Sequence, residues 1–221
     1  MNQPVAAYAA RSLLSRYTAC TVLAIGAHPD DLELGVGGTL ARLSRAGAHV
    51  VMAVVSVPGN RDRRLAEARA AAAILGCELR ILIEDERRID DFKPHQLVGM
   101  LDKVVAEFEP AAVFGHGAGE FHHDHISIYQ AIVSAQRLRF FDFFAYHPTM
   151  CRPVQVPFNP RAYVDITETI DAKIAAIDAH ASQFSGRGID TELYRDIARL
   201  HGRMIGVKYA EGLDVGRMLL A

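Results

Sequence analysis

The 221-residue sequence predicts an α/β fold: a mostly parallel sheet with helices on both faces, in a single domain. Three observations lead there. From Thr21 onward, short β-branched runs alternate with longer helical patterns, as expected of strands joined by crossover helices. The strand candidates are apolar almost throughout, as they must be when both faces are covered. Half of the residues are hydrophobic, enough at this length to bury one sizeable core without dividing it.

Strands are expected near residues 21–27 (TVLAIGA), 49–57 (HVVMAVVSV), 79–84 (LRILIE) and 111–116 (AAVFGH). Between them, GGTLARLSRAG reads as a helix closed by Gly47 and RRLAEARAAAAILG as one closed by Gly76, since glycine suits a helix C-cap. A third helix runs through HQLVGMLDKVVAEF to Pro110, and a fourth begins around Asp124 and carries IYQAIVSAQR. After Arg139, FDFFAYH and AYVDIT read as strands, residues 148–160 as a Pro-rich loop, and two further helices follow. The arrangement is Rossmann-like. No repeat, low-complexity tract or long linker divides residues 1–221. The cluster FFDFFAY (140–146) is read as core, with contact between copies of the chain in a homo-oligomer as the alternative.

Composition excludes several partners. The 24 Lys and Arg nearly balance 26 Asp and Glu, leaving net −2, so no field of one sign favours nucleic acid or an anionic membrane. Cys20, Cys77 and Cys151 form no CxxC pair, which fits a reduced cytoplasm. The opening twenty residues are interrupted by Arg11 and Arg16 and are read as neither signal peptide nor membrane span.

Ligands of open parallel sheets bind beyond the carboxyl ends of the strands. Two polar clusters fall at such ends: AHPDD (27–31) after the first strand and EFHHDH (120–125) after the fourth. If those strands are neighbours, the clusters meet and offer two imidazoles and a carboxylate, the usual three protein ligands of a catalytic zinc. Adjacent residues of an extended segment point opposite ways, so one of Asp30 and Asp31 can bind metal while the other faces the water. Pro29 stiffens the turn.

Each cluster has a structural alternative. His-Pro-Asp-Asp can be an ordinary strand-to-helix turn with one Asp as cap, and Asp124 can N-cap a helix that starts at His125. GVGGT (35–39) opens a helix and could suggest a phosphate cradle, but it lacks the GxGxxG spacing and reads better as close helix packing. Glu33 is a first-turn helix acid or a hydrogen-bond partner behind the site. His116 and His123 lie near enough to compete with His125 as third ligand.

AHPDDLELGVGGTLARL together with HHDH resembles the PIG-L/LmbE family of zinc-dependent N-acetylglucosaminyl deacetylases. RLAEARAAAAILG (64–76), VDIT with KIAAIDAHASQF (164–184) and GVKYAEG (206–212) agree with it, so the likeness spans most of the chain from about Val22. The resemblance implies that His28, Asp31 and His125 bind Zn2+, or another divalent ion, and that Asp30 is the general base. It implies that His122 stabilises the oxyanion or protonates the leaving amine, with Asp124 orienting and charging it. Arg64 and His180 become candidate pocket residues. Their alternatives are an Arg64–Glu67 surface pair and a histidine on a helix face. Glu120, where many relatives place Asp, and Ile126, where Arg is frequent, depart from the pattern beside the pocket.

The expected function is zinc-dependent removal of an acetyl group from the amine of an amino sugar or sugar conjugate, a small-molecule substrate. The rivals are an amidase acting on a thiol conjugate or another acylated amine, a nucleotide-binding module, and a metal protein without turnover.

Overall fold

The computed structural model describes residues 13–148 and 158–219. The reading of the N-terminal segment up to residue 12, most of the Pro-rich loop, and Cys151 fall outside these residues.

The expected strands form as β1 (Thr21–Gly26), β2 (His49–Val54), β3 (Glu78–Ile81), β4 (Ala112–His116), β5 (Asp142–Tyr146) and β6 (Ala162–Asp165), joined by an unexpected β7 (Ala210–Arg217). The helices are α1 (Asp31–Arg45), α2 (Arg61–Leu75), α3 (Pro94–Phe108), α4 (His123–Ala135), α5 (Ile170–Asp178) and α6 (Glu192–Ile205). β2 and β3 leave the regular ladder earlier than expected. The chain beyond them stays extended, with Val55 N–H bonded to Gly26 O and Ile83 N–H to Val55 O. α2 ends as expected on Gly76 at φ 72°.

The seven strands form one sheet in the order β3-β2-β1-β4-β5-β7-β6. β1 to β5 run parallel, while β7 pairs antiparallel with both β5 and β6. The chain winds outward from β1 to β3, then returns to β4 on the other side of β1. The carboxyl ends of β1 and β4 therefore flank the switch point, where parallel sheets open a crevice.

The core divides by the two-residue period of the strands. Val22 and Ala24 of β1 pack with Leu32, Val36 and Leu40 of α1, whereas Leu23 and Ile25 pack with Leu101 and Val105 of α3 and Ile128 of α4. Within 140–146 the core reading holds: Phe141, Phe143, Phe144 and Tyr146 are buried and Phe140 is exposed.

The glycines of α1 serve close packing. A Cβ on Gly35 would stand 2.2 Å from Tyr146 Cδ2, and one on Gly38 would stand 2.7 Å from Ile166 Cδ1. The Gly38 and Thr39 N–H groups are taken at 2.9 and 2.7 Å by the buried Glu211 carboxylate. Lys173 Nζ, also buried, donates to Glu211 Oε1 at 2.5 Å and to Leu34 O at 2.7 Å. This pair ties α1 to α5 and β7. Lys173→Met strands the Glu211 charge and is expected to destabilise the fold by about 3–5 kcal/mol, read by chemical denaturation.

Candidate metal centre

β1 delivers its end residues into a turn, Ala27–Asp30, from which α1 starts at Asp31. Asp31 reaches back to accept the His28 N–H at 2.8 Å, which closes the turn. Asp30 pays for that tight entry with φ 97°, a left-handed conformation that side-chain-bearing residues avoid. On the neighbouring strand, β4 ends at His116, and the following loop carries Glu120 to the start of α4. Helix α4 begins at His123, and its cap is His122, whose Nδ1 accepts the Asp124 N–H at 3.2 Å. The alternative of Asp124 as cap is not what forms, because the imidazole before it already takes the free N–H.

The two clusters meet across β1 and β4. One ligand atom each from His28, Asp31 and His125 lies within 4.8 Å of the others, and so does a second group of His116, Glu120 and His125. Asp31 is shared by three imidazoles: Oδ1 stands 3.3 Å from His125 Nε2, and Oδ2 stands 3.3 Å from His116 Nε2 and 3.9 Å from His28 Nδ1. The far nitrogen of His28, Nε2, meets Asp124 Oδ2 at 2.9 Å, and the far nitrogen of His125, Nδ1, meets Glu120 Oε2 at 3.3 Å. His122 stacks on His125 with ring centroids 4.7 Å apart, and His116 stacks on it at 4.0 Å. His123 is exposed.

The second group is a poorer ligand set. His116 Nε2 accepts the Ala27 N–H at 3.0 Å, so its lone pair is used and the hydrogen of the neutral ring sits on Nδ1. Burial, then the charge of His125, push His116 down to about 4, which keeps it neutral.

The charges of the others follow from their neighbours. Burial would raise Asp31, but His125 and His116 outweigh it and hold its carboxyl well below the usual range. Burial, then the Asp31 carboxylate, push Asp30 up to about 7 against the opposing pull of His180 and Arg64. His125 is opposed by burial yet raised to about 10 by Asp31 and Glu120. The hydrogen bond from His28 lowers Asp124. Burial, His125 and His28 lower His122. The Asp124 carboxylate thus meets His28, and although its charge also favours protonated His122, burial, His125 and His28 hold His122 toward its neutral form.

His180 lies just beyond α5, fully buried, with Nε2 3.0 Å from Glu33 Oε1. Burial opposes its charge, but Glu33 raises it. It is not a solvent-facing helix histidine. Arg64 donates to Pro29 O at 3.3 Å and to Pro58 O at 3.1 Å, so it braces the turn that carries Asp30. The alternative Arg64–Glu67 pair does not form, because Glu67 accepts from the Ser182 amide at 2.9 Å and hydroxyl at 2.5 Å and from Arg63. Burial pushes Glu67 up, but these donors hold it below its ordinary value. A lowered carboxyl stabilises the fold above the carboxylate range and loses that contribution as pH falls through its folded value. Glu67→Gln is therefore expected to lower Tm at neutral pH, with the gap narrowing in acid.

Sequence reasoning missed His147. It is buried at the carboxyl end of β5, with Nδ1 3.3 Å from Glu120 Oε1. The available signal was positional: like His28 and His116, it is a histidine closing an apolar strand.

The profile of the family described as PIG-L: GlcNAc-PI de-N-acetylase matches residues 23–136. The uncharacterized deacetylase YaiS of Escherichia coli (strain K12) is 34% identical over 126 residues, covering 52% of this chain and 68% of its own. The diacetylchitobiose deacetylase of Thermococcus kodakarensis is 27% identical over 219 residues, covering 87% of this chain and 81% of its own. Among solved structures, a conserved protein from Thermus thermophilus, TT1542, matches with a TM-score of 0.77 and 28% identity, over 91% of this chain and 97% of that one.

Proposed function

The chain belongs to the PIG-L family, and from that premise we propose that it is a zinc-dependent deacetylase removing an N-acetyl group from an amino sugar or sugar conjugate. We take residues 1–221 as one such domain. The observation that carries the reading is the meeting of His28, Asp31 and His125 within 4.8 Å, beside a second carboxylate, Asp30, in a strained conformation. Such strain persists where the surroundings enforce it, commonly at functional sites.

The residues fit the ion. Two imidazoles and one carboxylate are the donor set of a catalytic zinc with a position left open, and both imidazoles have a carboxylate at the far nitrogen. A bound zinc ion supplies Lewis acidity, polarising an amide carbonyl and making water more acidic. The remaining work belongs to the chain. Asp30 takes a proton from the attacking water, whose oxygen bonds to the acetyl carbon. His122, with Nδ1 occupied by the Asp124 N–H, presents Nε2–H to the developing oxyanion. As the C–N bond breaks, the proton taken from water passes to the leaving nitrogen, and acetic acid leaves and gives its own proton to solvent to become acetate. Arg64 braces the Pro29 turn that carries Asp30, and the charges of His180 and Arg64 favour its carboxylate form.

The similar proteins named as deacetylases support the reaction class, and the diacetylchitobiose deacetylase supports an acetylated sugar as the substrate. The packing of Gly35 and Gly38 against side chains speaks against a nucleotide-binding module. Free thiols at Cys20 and Cys77 accord with the cytoplasm, and no helix among the described residues is long and apolar enough to cross a membrane.

The test is amine release from N-acetylglucosamine derivatives by metal-stripped protein, with and without added zinc. Zinc-dependent release supports the proposal. Release only from an acylated thiol conjugate moves the substrate class, and release unaffected by chelation sinks the metal reading.

A further inference from the structure

We propose that Glu120 is a positioning residue of this metal site: it fixes the His125 ring with the Nε2 lone pair toward Asp31 and thereby sets the affinity for the ion. The inference rests on the metal reading above.

His125 stands between two carboxylates, with Asp31 Oδ1 at its Nε2 and Glu120 Oε2 at its Nδ1, both at 3.3 Å. A histidine that gives its Nε2 lone pair to a cation keeps a single ring hydrogen, and that hydrogen must sit on Nδ1. Glu120 is the carboxylate placed to accept it. The acceptor is itself enclosed: its side chain is fully buried, and its other oxygen, Oε1, stands 3.3 Å from His147 Nδ1. Each oxygen of Glu120 therefore faces an imidazole, and the two rings come from different elements, α4 and the end of β5.

The same atoms could be read as a second metal site of His116, Glu120 and His125. The Ala27 N–H on His116 Nε2 argues against it, since it leaves the ring hydrogen of His116 on Nδ1. A cation needs free lone pairs, and the Nε2 lone pair of His116 is already used. The role reaches the ion through His125.

The test compares zinc dissociation constants of wild-type, Glu120→Gln and Glu120→Asp protein by competition with a chromophoric chelator. Tm is measured for the metal-free and zinc-loaded forms of each. Glu120→Gln keeps the size and removes the charge, and is expected to weaken zinc by about 10–100-fold. Glu120→Asp keeps the charge on a shorter arm and is expected to fall between the two. A purely structural Glu120 would lower both Tm values alike and leave zinc affinity within about twofold of wild type, which overturns the proposal. If the Gln variant does not fold, Glu120→Asp decides alone, wild-type affinity being the overturning result. Wild-type protein that takes up no zinc sinks the metal reading itself, whereas wild-type uptake matched by both variants removes Glu120 only.

Discussion

Asp30→Asn is expected to lower the turnover of amine release by about 10²–10⁴-fold, the usual worth of a positioned general base, while zinc binding persists. The variant keeps His28, Asp31 and His125 and loses only the group that takes the proton of water. A base works best with a pKa near the working pH, and burial beside Asp31 brings Asp30 to about 7. The same residue stands at φ 97°, which a glycine adopts freely. Non-glycine residues held in such regions cost of order 1–3 kcal/mol, partly offset in a variant by the extra chain entropy of glycine. Asp30→Gly is therefore expected to gain about 1 kcal/mol in stability of the metal-free protein while losing activity as Asp30→Asn does. Thermal unfolding and steady-state kinetics at saturating zinc check the two halves separately. Full turnover in either variant would remove Asp30 from the chemistry.

Asp31→Ala is expected to abolish both zinc retention and turnover. Its carboxylate faces His28, His116 and His125 and also closes the turn through the His28 N–H. Without it, two imidazoles remain, too few for a catalytic zinc. At a free zinc concentration about 100 times Kd, the wild-type fold gains about 2.7 kcal/mol from the ion, and the variant should gain nothing. The measurement is Tm with and without zinc, together with metal content after gel filtration. A variant that holds stoichiometric zinc would shift the ligand assignment to His116, Glu120 and His125.

The pattern of residues determined the parallel α/β architecture, because fully covered strands and amphipathic helices each write a local period into the chain. It also placed AHPDD and EFHHDH at strand ends, since an apolar run that stops on His or Asp marks where the sheet meets solvent. Strand β7 was not legible. Its residues, AEGLDVGR, mix glycine and charge, and they form a strand because β5 and β6 offer open edges on either side. Tertiary structure alone decided that β1 and β4 are neighbours, and hence that the two clusters form one site. It also decided the partners within that site. The Asp124 carboxylate meets His28, Glu67 takes Ser182 and leaves Arg64 to the Pro29 turn, and Glu120 stands between His125 and His147. Spacing along the chain carries no information on such pairs. A carboxylate is drawn to whichever imidazole or N–H the packed backbone brings within reach, and that depends on how strands far apart in sequence come to lie side by side.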